Sequence, residues 1–178
     1  MPERCVTVFG SSKATAEDPI YAAGLRLGRL LVESGYVVRT GGYTGLMEAV
    51  SRGAAEAGGK VVGVTMTPWG SRLRVNPWVS EEIAAEDLFQ RLRRLIDSEA
   101  YVALPGGLGT LGEVVVTWNL FQTATIPRRP LILVGSSWQA VIEGLRAGVR
   151  IEPRDLELVR VIDTVDGVIP LLEEARAP

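Results

Sequence analysis

The chain has 178 residues, 47% of them hydrophobic and 22% charged, with a formal net charge of −2, the size and composition of one globular domain spanning residues 1–178. It contains no histidine and a single cysteine, which removes Ser-His-Asp and Cys-His triads, the commonest zinc ligand and any intrachain disulfide. Catalysis must then use carboxylates, arginines, hydroxyls or backbone dipoles. The mild acidity gives nucleic acid no general attraction, although every basic residue except Lys13 and Lys60 is arginine.

Val6-Thr7-Val8-Phe9 is a β-branched and aromatic run that stops at Gly10-Ser11-Ser12. Tyr21 to Glu33 then carries Ala22, Ala23, Leu27, Leu30 and Leu31 at helical spacing. After Gly35, the strand Tyr36-Val37-Val38-Arg39 runs into Gly41-Gly42-Tyr43-Thr44-Gly45; Leu46 to Ala57 reads as a helix and Lys60 to Val64 as a third strand. From Met66 to Trp78 proline and glycine break every period. In this loop Trp69 or Trp78 stacks on a planar ligand while Arg72 or Arg74 meets an anion, or the tryptophans only pack the loop onto the body or a neighbouring subunit.

A weak strand near Ile83, a helix from Asp87 to Ile96 and an apolar strand from Ala100 lead to Leu104-Pro105-Gly106-Gly107-Leu108-Gly109-Thr110-Leu111-Gly112-Glu113. The helix expected from Thr110 to Gln122 carries Val114, Val115, Val116, Trp118, Leu120 and Phe121, apolar nearly all round, so it belongs in the core or against a second subunit. Pro130 to Val134, Trp138 to Leu145, Val159 to Ile162 and Val165 to Glu174 add a strand, a helix, a strand and a helix. This alternation predicts an α/β fold with a largely parallel sheet and helices on both faces. Cys5, in an apolar strand, reads as a buried structural thiol. No apolar run approaches the roughly 20 residues that span a bilayer, and the start lacks a signal-peptide core, so a cytoplasmic protein without a membrane partner is expected.

Three glycine turns each follow a strand, which puts them together at the carboxyl edge of the sheet, where α/β proteins bind ligands. None matches the dinucleotide or P-loop pattern. Free helix N-terminal amides beside glycines suit a phosphate or a nucleotide. Glu113 has two readings. Thr110 and Glu113 fit a capping box that only starts the helix, or Glu113 is a carboxylate held beside the ligand as a base or as a stabiliser of positive charge.

Pro105-Gly106-Gly107-Leu108-Gly109-Thr110-Leu111-Gly112-Glu113 resembles, without mismatch, the signature of the LONELY GUY (LOG) family of cytokinin riboside 5′-monophosphate phosphoribohydrolases. Val8 to Ser12, Gly41 to Val50 and Gly58 to Val64 look like its other conserved segments. The resemblance implies a Rossmann-like fold, a homodimer or higher homo-oligomer, and hydrolysis of the N-glycosidic bond of an AMP-like or cytokinin-type nucleoside 5′-monophosphate. It implies Glu113 and an upstream arginine as the catalytic pair. The upstream segment, Phe89-Gln90-Arg91-Leu92-Arg93-Arg94, lacks the family's histidine and lysine and lies one residue closer to Pro105; Arg91 is the match, and Arg94, one turn on, substitutes if the register slips. Gly10, Ser11, Ser12, Gly41, Gly42, Thr44, Gly45, Pro105, Gly106, Gly107, Gly109 and Thr110 are then the phosphate- and substrate-binding set, with Glu48 a secondary candidate. The nucleotide is the expected partner, with neither cofactor nor metal. Neither lysine is expected in the central site, which argues against pyridoxal chemistry. Relatives with a short second turn point to the alternative, a non-catalytic nucleotide or molybdenum-cofactor carrier.

Overall fold

The computed structural model describes residues 4–69 and 73–176. Among these, seven strands form one sheet: β1 (Cys5–Phe9), β2 (Val37–Thr40), β3 (Val61–Met66), β4 (Glu81–Ala85), β5 (Ala100–Ala103), β6 (Leu131–Val134) and β7 (Arg160–Ile162). Every neighbouring pair is parallel, in the order β4-β3-β2-β1-β5-β6-β7. The chain steps outward from β1 to β4 on one side, then returns to β5 on the other flank of β1, with Phe9 opposite Ala103. Connections therefore diverge between β1 and β5, which is where a crevice forms. This is the expected Rossmann-like α/β fold.

Parallel neighbours require crossovers, and helices supply them. α1 (Pro19–Glu33) and α2 (Leu46–Glu56) lie with the C-terminal α7 (Val168–Glu174) on one face, around Val6, Val8, Leu27, Leu31, Val50 and Leu172. α3 (Leu88–Ile96), α4 (Leu108–Gln122) and α5 (Ser136–Gly148) cover the other, around Phe9, Leu95, Tyr101, Trp118, Phe121 and Trp138. Adjacent residues of β1 point to opposite clusters, so a strand buried on both faces is apolar without alternation. All of β1, β3, β5 and β6 is buried. Cys5 is a buried thiol, and its Sγ accepts from the Ser98 hydroxyl at 3.5 Å.

Several boundaries differ from the sequence expectation, each for a local reason. α4 begins at Leu108 rather than Thr110, because extended Gly107 (φ −95°, ψ −157°) is its N-cap. A short helix α6 (Pro153–Leu156) was not legible as a period; it is started by Pro153 and by a reciprocal cap between Glu152 and Asp155. The terminal helix is split into a tight turn at Val165–Gly167 and α7. α4 buries Val114, Thr117, Trp118 and Phe121, whereas Val115 and Val116 are 41% and 37% exposed, so within one chain only one face of this apolar helix is covered. Among the described residues no helix is long and apolar enough to cross a membrane.

Candidate functional site

The three glycine turns meet at the carboxyl edge and are tied to one another by backbone. Ser11 N–H donates to Pro105 O at 3.2 Å, joining the first turn to the third. Leu46 N–H donates to Ser11 O at 2.8 Å and Thr44 Oγ1 to Ser12 O at 3.0 Å, joining the first to the second. Gly45 makes this junction possible: its φ is +73°, and a Cβ there would lie 2.2 Å from Ser11 O. The loop after β3 closes on the same edge, with buried Asn76 donating its N–H to Gly42 O (2.8 Å) and its side-chain amide to Tyr43 O (2.9 Å).

Between the turns lies a cavity of about 620 Å3. Gly10, Ser11, Ser12, Thr44, Gly107, Gly109, Thr110, Arg91 and Glu113 line it. Gly41, Gly42, Gly45, Pro105 and Gly106 do not; they shape the turns beneath it. The helix leaves its first amides, through Thr110, without partners inside α4, and the first amide to bond back is Leu111 N–H, to Gly107 O at 3.0 Å.

Glu113 is not a cap. With the helix starting at Leu108 it stands in the second turn, and α4 has no side-chain cap at all. Its carboxylate instead faces Arg91, Oε1 lying 3.3 Å from Nη1, with the two side chains 14% and 6% exposed. The rest of the Arg91 guanidinium is fixed by backbone: Nε donates to Val64 O (2.9 Å) and Nη2 to Gly41 O (3.3 Å), while the cation lies 5.8 Å from the centre of the Tyr43 ring. The Tyr43 hydroxyl is held in turn by Met66 N–H at 2.8 Å. A Cβ on Gly41 would lie 2.3 Å from Arg91 Nη2 and 2.5 Å from Met47 Sδ, so a larger residue here would displace one or both side-chain ends. Burial raises the Glu113 pKa from 4.5 to about 6, against the opposing pull of Arg91. The pair thus offers an anchored cation beside a carboxylate that titrates near neutrality, next to an anion-favouring helix start.

Two secondary candidates lie outside the cavity lining, one open alternative takes its packing form, and one residue expected outside the site lines it. Arg94 is exposed, one turn along α3 on the outer side, so the register selects Arg91. Glu48, in the first turn of α2, is not among the cavity-lining residues; it lies near Tyr21, whose phenol it helps to raise after burial. Trp78 packs against Arg52 of α2, 5.4 Å from its guanidinium, which is the packing role, and Arg74 is exposed. Lys13, thought to be remote, lines the cavity. Arg72 and the side chain of Trp69 lie outside the described residues. Tyr43, Met47, Leu73 and Leu108 also line the cavity and were not singled out; for Tyr43 the signal was its place inside a post-strand glycine turn, whereas Leu73 is brought in by a loop with no period.

The family described as "possible lysine decarboxylase" matches residues 47–172. The chain belongs to this family. A probable cytokinin riboside 5′-monophosphate phosphoribohydrolase of Oryza sativa subsp. japonica is 39% identical over 119 residues, 65% of this chain and 48% of that protein. A cytokinin riboside 5′-monophosphate phosphoribohydrolase of Arabidopsis thaliana is 34% identical over 178 residues, covering 96% of this chain and 82% of that protein. The match to the rice protein thus takes in about half of its length. Among solved structures, the molybdenum cofactor binding protein of Rippkaea orientalis superposes with a TM-score of 0.78 at 24% identity, over 98% of both chains, a likeness of fold. The chemistry in the possible lysine decarboxylase family's description does not fit this member's site: a pyridoxal Schiff base needs an enclosed lysine that can lose its proton, and Lys13 is exposed.

Proposed function

We propose that the chain is a nucleoside 5′-monophosphate phosphoribohydrolase, releasing the base of an AMP-like or cytokinin-type substrate and leaving ribose 5-phosphate. The observation that carries this reading is the buried Arg91–Glu113 pair placed just along α4 from its free amides. Glu113 lies three to six residues beyond Gly107 to Thr110, about 5–9 Å along the axis at about 1.5 Å per residue. A ribose ring bridges such a span between its 5′-phosphate and C1′. The amides and the Thr110 hydroxyl take the phosphate, and Glu113 then faces the anomeric carbon.

Breaking the N-glycosidic bond builds oxocarbenium character on the ribose. Ionised Glu113 stabilises that charge and takes the proton of the water whose oxygen bonds to C1′ as the C1′–N bond breaks, the departing base takes its proton from solvent, and Arg91, locked on Val64 O and Gly41 O, keeps the carboxylate oriented. Names of the plant relatives support the reaction class. We further propose that the chain acts as a homodimer in the cytoplasm, with the outer face of α4 as part of the contact.

The test is to incubate the protein with AMP, GMP, CMP and N6-substituted AMP and to follow free base by chromatography. Base release from the purine monophosphates is expected, falling about 10²–10⁴-fold in Glu113→Gln with the fold intact. A second reading, a carrier of a phosphorylated ligand such as the molybdenum cofactor, is favoured by the end-to-end likeness to the cofactor-binding protein and by the altered segment around Arg91. Tight nucleotide or cofactor binding without any base release would overturn the enzyme and establish the carrier.

A further inference from the structure

At the opposite end of the sheet, where β6 and β7 begin, a second cavity of about 750 Å3 opens, within the range of small-molecule sites. Three guanidinium groups line it: Arg128 from the segment entering β6, Arg146 from the last turn of α5 and Arg160 at the start of β7. They come from three separate stretches of chain, so their convergence is a product of the fold and not of a basic run in the sequence.

The charges here are unbalanced. Arg26 and Arg52 each have a carboxylate partner, Asp166 and Glu56 (2.7 Å) respectively. Around this cavity Glu152 is already paired with Arg154 at 2.8 Å and Asp155 is engaged in the cap of α6. Among the described residues Arg146 and Arg160 have no hydrogen-bond or ion-pair partner, and Arg128 donates to a backbone carbonyl, Glu157 O. One lining carboxylate, Glu157, stands against three cations. Gathering like charges with so little compensation costs free energy that a bound anion returns. An excess of about two positive charges matches a phosphoryl group, which carries about −1.5 to −2 at neutral pH, and guanidinium forks fit its oxygens bidentately. Beneath the arginines, Ile151, Leu156 and Val159 give the cavity an apolar floor.

We propose that this cavity is a second ligand site, which binds a small phosphate monoester: Arg128, Arg146 and Arg160 hold the phosphoryl group, and Ile151, Leu156 and Val159 lie against its organic part. The site is separate from the glycine-turn cavity and does not rest on the reaction proposed there.

Equilibrium dialysis with labelled AMP at low salt tests it, in a Glu113→Gln background so that no turnover intervenes. The full chain is compared with the same chain carrying Arg146→Gln and Arg160→Gln, both exposed positions whose fold is checked by thermal unfolding. Two AMP per chain are expected in the first and one in the second, with affinity at the lost site down at least tenfold. Superimposable isotherms overturn the proposal. Because the readout is a difference between chains that share the glycine turns, it is independent of whether those turns support catalysis.

Discussion

Glu113 is held in the fold against its own charge: burial lifts its pKa to about 6, and the partial compensation from Arg91 does not restore the ordinary value. The consequence for rate is direct. If the carboxylate is the working form, kcat/KM for AMP is flat above pH 7 and falls about tenfold per unit below pH 6, which a pH profile checks. The consequence for stability has the opposite sign. Below pH 4.5 the carboxyl is protonated whether the chain is folded or unfolded, and no penalty arises; above pH 6 it is ionised in both states and the folded state carries about 1–2 kcal/mol of unfavourable charge. Glu113→Gln is therefore expected to raise stability to urea at pH 8 and to lose that advantage below pH 4.5, while turnover falls by about 10²–10⁴-fold; a destabilised variant at pH 8 would contradict the burial argument. The sequence named both partners and ranked Arg91 above Arg94 by the family resemblance, yet the residues alone left a site and a cap equally open. Those choices depend on which side of α3 faces β3 and on whether α4 starts at Leu108 or Thr110, and both are decided by packing.

Glycines of the three turns differ in what they do for the elements they join. Gly45 is conformationally required, at φ +73° and against Ser11 O, whereas a Cβ on Gly107 meets nothing within 4 Å. Gly45→Ala is expected to cost about 2–4 kcal/mol and to loosen the Ser11 and Ser12 junctions. Gly107→Ala is expected to cost under about 1 kcal/mol in urea unfolding but to weaken nucleotide binding, because the added methyl group stands at the start of α4, the place proposed for the phosphate. Equal losses of stability in the two variants would contradict this division. At this scale strands and helices were legible because a sheet buried on both faces leaves unbroken apolar runs between glycine stops. The loop from Thr67 to Trp78 was not, since Asn76 is placed by carbonyls of Gly42 and Tyr43, a contact 33 residues distant in sequence for its side chain.

Over the whole molecule, an apolar surface between α3 and α4 has no covering among the described residues. Phe89 is 74% exposed and Val116 37% exposed, and both line a cavity of about 550 Å3 with Leu92, Leu120 and Ile126. Exposed apolar side chains gathered beside one cavity are the kind of surface that a partner covers, and a two-fold contact would cover the same patch on both copies at once. This is the covering proposed for the outer face of α4. Glu113 and Val116 are three residues apart, neighbours on the helix surface, so the contact and the carboxylate proposed to act in catalysis share one helix turn. Val116→Asp is then expected to shift the chain to monomer mass in sedimentation equilibrium at micromolar concentration, with helix content unchanged. Turnover falls with it, because the partner no longer fixes the turn that carries Glu113. Wild-type protein sedimenting as a monomer would remove the dimer, and a monomeric variant with full turnover would separate the contact from the site.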